Sequence, residues 1–127
     1  MRNTDRKKVG RLGEDAACVY LIQHGHTVIK RNWRGSHTEI DIISLDARGV
    51  HFVEVKTRTA PVMADPEVNV GPAKQKTLVK SAMMFLKSKD REYLSDCEVF
   101  FDILTVVLDG DDKQIQFYPQ AFIPIYV

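Results

Sequence analysis

Two strand-like segments joined by a short polar turn constrain this chain more than any other feature. The segments are Thr38-Glu39-Ile40-Asp41-Ile42-Ile43-Ser44-Leu45 and Val50-His51-Phe52-Val53-Glu54-Val55-Lys56-Thr57-Arg58. Both are rich in β-branched and aromatic residues, and Asp46-Ala47-Arg48-Gly49 between them has turn composition, so the stretch reads as a β-hairpin. Side chains two apart on a strand share a face. Glu39, Asp41 and Ile43 therefore project one way, with Ile40 and Ile42 on the other side. Phe52, Glu54, Lys56 and Arg58 share a face opposite Val53 and Val55. Whether the connection is Ala47-Arg48 or all four turn residues, the opposed pairs are the same. Leu45 meets Val50, Ile43 meets Phe52, Asp41 meets Glu54 and Glu39 meets Lys56. Opposed residues leave the sheet on one face, so Asp41 confronts Glu54.

That confrontation is costly. At about 4 Å and an effective dielectric near 20, two carboxylates repel by of order 4 kcal/mol, against a typical total stability of roughly 5–15 kcal/mol. A divalent cation between them removes the cost, and oxygen-only ligands suit Mg²⁺ or Mn²⁺ better than zinc. The plainer alternative is neutralisation by Lys56 and Arg58, or a proton kept on one carboxylate. Lys56 tips the balance, because it follows Glu54 by two residues on the same face. A metal beside a lysine is equipment for phosphodiester hydrolysis: the metal activates water and holds phosphate, and the ammonium orients the nucleophile or offsets developing charge.

Asp41, twelve intervening residues and then Glu54-Val55-Lys56 resemble the D…ExK core of the restriction-endonuclease-like superfamily. The wider set is Gly10-Arg11-Leu12-Gly13-Glu14 opening a helix, Arg31-Asn32-Trp33-Arg34 on a strand, Glu39-Ile40-Asp41, and Phe52 to Arg58. Together these resemble the YraN-type family of small bacterial predicted endonucleases, relatives of Holliday junction resolvases. The family pattern has Gly before Glu-Ile-Asp; this chain has Thr38. By this resemblance Asp41 and Glu54 ligate the metal with help from the Val55 carbonyl. Glu14 joins them from the first helix as a metal or metal-water ligand, which spacing alone does not imply, and Lys56 assists the chemistry. The resemblance further implies DNA as substrate, branched DNA included, and a homodimer. Glu39, opposite Lys56, would hold that lysine in place.

Composition bounds these readings. A length of 127 residues suits one domain, which buries roughly two-thirds of its unfolded surface. The net charge of +1 excludes a basic coat protein, so any nucleic-acid surface must come from local charge segregation. No apolar run reaches the roughly 20 residues of a membrane span, and the basic start lacks the apolar stretch of a secretory signal. Cys18 and Cys97 have no CxxC partner and read as thiols of a reducing cytoplasm.

Along the chain, Arg6 to about His24 forms a first helix, with Val9, Leu12, Ala16, Ala17, Tyr20 and Leu21 as its apolar stripe and Gly25 ending it. Thr27 to Arg34 is a strand. Arg31 and Arg34 flank the single tryptophan, Trp33, a mix that grips a nucleic-acid backbone or, equally, packs Trp33 on the sheet. The four histidines have no ligand spacing and none is assigned to metal; His37 is close enough to the site to contact substrate. Thr59 to Val70 is a loop bordering the cleft. Gly71-Pro72 opens a second helix with the stripe Leu78, Val79, Ala82, Met83, Phe85 and Leu86. Lys74 and Lys76 lie in its first turns, where the dipole disfavours cations, so they and Arg58 are candidate phosphate contacts or simply solvated. Val99 to Leu108 is a nearly continuous apolar strand whose Asp102 needs a partner, Arg58 or an N-terminal basic residue. A turn at 109–112 leads to a last strand, Lys113 to Tyr118, and an apolar tail, Phe122 to Val127.

The order α-β-β-β-α-β-β implies a restriction-endonuclease-like mixed α/β sheet flanked by helices. The leading expectation is a metal-dependent DNA endonuclease. The rival is a nucleic-acid-binding or repair-complex module that keeps the fold with little or no catalysis.

Overall fold

The hairpin forms in the expected register. In a computed structural model, described for residues 3–35, 38–63 and 68–124, the antiparallel pairs are Leu45↔Val50, Ser44↔His51, Ile43↔Phe52 and Ile42↔Val53. Its strands are β2 (Glu39–Leu45) and β3 (Gly49–Thr59). Asp46 closes the turn: its Oδ1 accepts the Arg48 N–H at 2.9 Å and the Gly49 N–H at 3.2 Å, the short-range bonding that makes Asp a turn residue.

The remaining elements are α1 (Asn3–Gln23), β1 (Thr27–Arg34), α2 (Pro72–Leu86), β4 (Glu98–Asp109) and β5 (Asp112–Phe122), with a short 3-10 helix at Lys89–Leu94 before β4. The sheet runs β1-β2-β3-β4-β5, antiparallel except for the parallel β3–β4 pair. A parallel pair needs a crossover, and α2 supplies it. The architecture is therefore the mixed α/β sheet flanked by helices that the element order implied. Both faces are covered, which explains the nearly continuous apolarity of β4. On one face Ala17 and Leu21 of α1 pack against Ile42, Val53, Leu104 and Val106. On the other, Leu78 and Phe85 of α2 pack against Ile43, Phe52 and Phe101. Trp33 belongs to this second core, edge-on to Phe85 with ring centroids 5.4 Å apart.

The stripe on α1 differs from expectation at one point. Leu12 is 41% exposed, and Gly13 is buried in its place. A Cβ at Gly13 would lie 1.8 Å from Thr57 Oγ1. The helix thus crosses β3 at contact distance, and the closest point is the residue without a side chain. The C-terminus of α1 closes as a Schellman motif, with Gly25 at φ +89°. The Gly25 N–H donates to the Ile22 carbonyl and the His26 N–H to the Leu21 carbonyl, at 3.1 and 2.9 Å.

Asp102 is buried, and among the described residues its partners are not the expected Arg58 or an N-terminal basic residue but His51 and the Gln120 backbone. Its Oδ2 lies 2.6 Å from His51 Nδ1, and its Oδ1 accepts the Gln120 N–H at 2.9 Å. His51 reaches it because β3 and β4 are neighbours, a parallel pairing that the local sequence does not encode. The last strand is longer than expected, and Phe122 stacks on Phe101 at 4.8 Å. Cys18 is buried and Cys97 half-buried, both free thiols. Among the described residues no helix is long and apolar enough to cross a membrane. His37 and the end of the apolar tail, 125–127, lie outside the described residues.

The contact at Gly13 yields a test with an internal control. Gly13→Ala should destabilise the fold by about 1–3 kcal/mol in urea titration, because the methyl forces α1 off β3. Gly10→Ala, with nothing within 4 Å of the added Cβ, should be neutral or stabilising by up to about 1 kcal/mol. Equal effects would show that α1 does not approach β3 this closely.

Candidate metal centre

The ladder between β2 and β3 stops at Ile42↔Val53. Asp41 and Glu54 are the next residue on each strand, so the expected register leads directly to the point where the strands part. There Asp41 Oδ2 accepts the backbone N–H of Val55 at 2.8 Å. The carboxylate takes the donor that a continuing β2 backbone would otherwise have satisfied.

The other side of β2 is irregular at the same place. Arg31↔Ile42 and Trp33↔Ile40 pair, but between them Asn32 has φ +51°, a left-handed conformation that Asn tolerates better than most side chains. The alternation of faces breaks here as well. Ile42 packs in the α1-side core, whereas Ile40 joins Ile43 in the α2-side core. The expectation that Ile40 and Ile42 share a face is thus corrected; the kink at Asn32 and Asp41 shifts the parity. One consequence is that Asp41 borders a cleft on each side of the sheet. Glu39, Glu54 and Lys74 line the α2-side cleft with it. Glu14, Arg6 and Arg58 line the α1-side cleft with it.

The expected site residues therefore divide. Asp41, Glu54, Glu39 and Lys74 come together on one side, and Glu14 and Arg58 meet Asp41 from the other. Lys56 is half-buried two residues beyond Glu54 on β3. Arg34 pairs with Glu39 across β1 and β2 and is exposed, as is Lys76 on α2. Arg31, expected to contact nucleic acid, is turned to α1, where its Nη2 lies 2.8 Å from Asp15 Oδ1 and 3.4 Å from Glu14 Oε1. That hydrogen bond with Asp15 raises its pKa further.

Electrostatics single out Asp41. Its pKa is raised from 3.8 to about 6, first by burial and then by Glu14, Glu54 and Glu39, with the Val55 N–H opposing the rise. Burial outweighs the facing Glu54, and Glu14 outweighs Glu54 among the charges. The all-oxygen donor set of Asp41, Glu54 and Glu14 has the chemistry of a hard-cation site. It is an open arrangement, since these three do not converge within 4.8 Å as another cluster does. A site for Mg²⁺ or Mn²⁺ that relies on one or two carboxylates, waters and substrate phosphate has this character.

That other cluster is His26, Asp46 and His51, and sequence reasoning missed it. Its members are separated by 20 and 5 positions and carry no motif. Asn32 was equally invisible as a kink, because an Asn in a strand announces no positive φ.

The raised pKa gives a signed prediction. Asp41 is protonated below pH 3.8 whether folded or not and contributes no penalty there; above pH 6 the folded state carries the full cost of ionising it, about 3 kcal/mol. In chelator, Asp41→Asn should therefore raise the melting temperature at pH 7.5, and the gain should vanish by pH 4. No gain at pH 7.5 would mean that neighbouring cations already balance the carboxylate.

Comparison with known proteins bears on the whole of this core. A family model described as "Uncharacterised protein family UPF0102" matches residues 13–106, which include Glu14, Asp41, Glu54 and Lys56. A UPF0102 protein of Oleidesulfovibrio alaskensis is 43% identical over 80% of the chain, which spans 48% of that protein. The chain thus covers about half of that relative. UPF0102 proteins of Bacteroides thetaiotaomicron and Trichlorobacter lovleyi are 36% and 39% identical, with 96% and 89% of their lengths covered. Among solved structures, Pyrococcus furiosus SfsA in complex with Ca²⁺ matches 96% of this chain and 65% of that one, at 13% identity and a TM-score of 0.41. That likeness is too loose to carry an argument. The sequence relatives and the matched core agree: the chain belongs to the UPF0102, or YraN, family.

Proposed function

We propose that the protein is a divalent-metal-dependent endonuclease acting on DNA, with branched DNA the first substrate to try. The observation that carries this is the half-buried carboxylate of Asp41, fixed by the Val55 N–H where β2 leaves β3, with Glu54 next on β3 and Lys74 in the same cleft. Parting strands leave a notch between β2 and β3, and Asp41 and Glu54 stand at its mouth.

Asp41 and Glu54 are the residues that would hold the ion, with Glu14 bearing on it through Asp41. A bound Mg²⁺ or Mn²⁺ supplies an activated water and charge neutralisation at phosphate. Asp41, anchored through one oxygen, presents its carboxylate in a fixed orientation. Lys56 offsets charge developing on phosphate oxygens. Lys74 and Arg58, one on each side of Asp41, are placed to take backbone phosphates, with Lys76 and Arg34 as outer contacts. Arg31 serves the protein itself through Asp15 and Glu14. Association of two chains, as the resemblance implies, would present two such notches to a branched substrate.

The spread of Glu14, Asp41 and Glu54 favours a second reading, a binding module without hydrolysis. The two separate on one experiment with end-labelled linear and four-way DNA, in Mg²⁺, Mn²⁺ or chelator. The nuclease reading expects cutting that needs the metal and falls by about 10²–10⁴-fold in Lys56→Ala. Retarded DNA without cutting in either metal identifies the module. Cutting that persists in chelator or in Asp41→Asn overturns the assignment of the site.

A further inference from the structure

We propose that the protein carries a second metal site, for Zn²⁺ or a similar first-row divalent ion, formed by His26, Asp46 and His51 at the turn end of the hairpin. It lies about 10 Å along β3 from Glu54, three residues away at strand rise, and on the α1 side of the sheet. The inference is independent of the nuclease reading.

Three unrelated local structures bring the ligands together. The Schellman motif ending α1 places His26 directly after the capping Gly25. The hairpin turn fixes Asp46 through the N–H groups of Arg48 and Gly49. His51 comes from β3, where alternation points it away from Val50 and Phe52. The two imidazole rings lie 4.6 Å apart between centroids. Their Nε2 atoms both face the Asp46 carboxylate, one on each oxygen, at 3.4 Å for His26 and 2.8 Å for His51.

The Nδ1 atoms are engaged elsewhere. His51 Nδ1 is 2.6 Å from Asp102 Oδ2, and His26 Nδ1 is 2.9 Å from Ser44 Oγ. A carboxylate cannot donate, so with carboxylates at both nitrogens His51 donates from Nδ1 to Asp102 and from Nε2 to Asp46, and a metal would take the place of the Nε2 proton while Asp102 keeps the one on Nδ1. This carboxylate–histidine pairing is what orients and strengthens metal-binding imidazoles. When Ser44 accepts from His26 Nδ1, an ion in place of the Nε2 protons meets two imidazole nitrogens and one carboxylate. Either Nε2 protons or a cation lies between the imidazoles and Asp46.

Charge and size favour a dication. Asp46 and Asp102 bring two negative charges into a site where their side chains are 15% and 0% exposed and His51 is 2% exposed. One proton shared among the imidazoles leaves a net negative charge, whereas a divalent ion balances both carboxylates. The candidate ligand atoms already lie within 4.8 Å of one another. A tetrahedral ion at 2.0–2.1 Å sets its ligands roughly 3.3 Å apart, so seating one opens the His51–Asp46 contact by about half an ångström. Two imidazoles with one carboxylate suit zinc rather than magnesium, and a fourth position is left for water. Such an ion would tie the end of α1 to the hairpin and, through Asp102, to β4.

The test uses the full chain, stripped with chelator and titrated with Zn²⁺ and with Co²⁺ in the absence of Mg²⁺. We expect one equivalent bound, the visible absorption of four-coordinate Co²⁺, displacement of that signal by Zn²⁺, and a higher melting temperature with Zn²⁺. His26→Gln and His51→Gln should each weaken binding by a hundredfold or more, and Asp41→Asn should leave it unchanged. The Co²⁺ spectrum of the unmodified chain needs no variant to fold. Less than one equivalent bound, or binding lost in Asp41→Asn but kept in both histidine variants, overturns the site.

Discussion

The hydrogen bond from the Val55 N–H to the Asp41 carboxylate is the interaction on which the geometry of the site depends. Four registered pairs hold the hairpin together, and beyond them β2 turns with β1 while β3 continues alongside β4. A fork in a sheet leaves backbone groups without partners, and a buried N–H cannot be left so. Asp41 supplies the acceptor. In doing so it brings an acidic group into a partly closed place where its ionised form is disfavoured, and only a proton or a cation relieves that.

The fork also explains why one aspartate serves both sides of the sheet. In a regular strand Asp41 would belong to a single face. With Asn32 in a left-handed conformation opposite it and the alternation reset between Ile40 and Ile42, the side chain lies in the gap instead. Strained backbone of this kind persists where the surrounding structure fixes it, and it tends to be found at functional positions. The helix on each face then delivers its own polar groups to the gap, Glu14 from α1 and Lys74 from α2. Gly13 permits the first of these, because α1 can carry Glu14 to Asp41 only if the preceding residue clears Thr57.

The hairpin has a second polar end. At the turn, the carboxylate that shapes the backbone is also the one that meets two histidines, so Asp46 has a local role and a tertiary one. Asp102 links this end to β4. Its neighbour Phe101 belongs to the opposite core, so the strand carrying the most apolar stretch of the chain also carries the anchor for a buried imidazole. The two polar ends thus lie on one rigid hairpin, separated by the apolar pairs that fix its register.

The sequence by itself determined what nearest neighbours and periodicity can encode. Turn chemistry at Asp46 to Gly49 and β-branched arms set the hairpin and its pairing, which runs to Ile42 and Val53 and so leaves Asp41 and Glu54 as the next residues, where the strands part. Gly25 and Pro72 marked helix ends because their backbone needs are local. Only the tertiary structure decided the rest. Leu12 and Gly13 exchanged places because helix-to-sheet distance is set by the smallest residue at the crossing. Arg31 faced carboxylates of α1, and Asp102 found His51, because the partners come from elements distant in the chain. The parting of β2 from β3 arises where two strands each follow a different neighbour, a competition that no single segment contains.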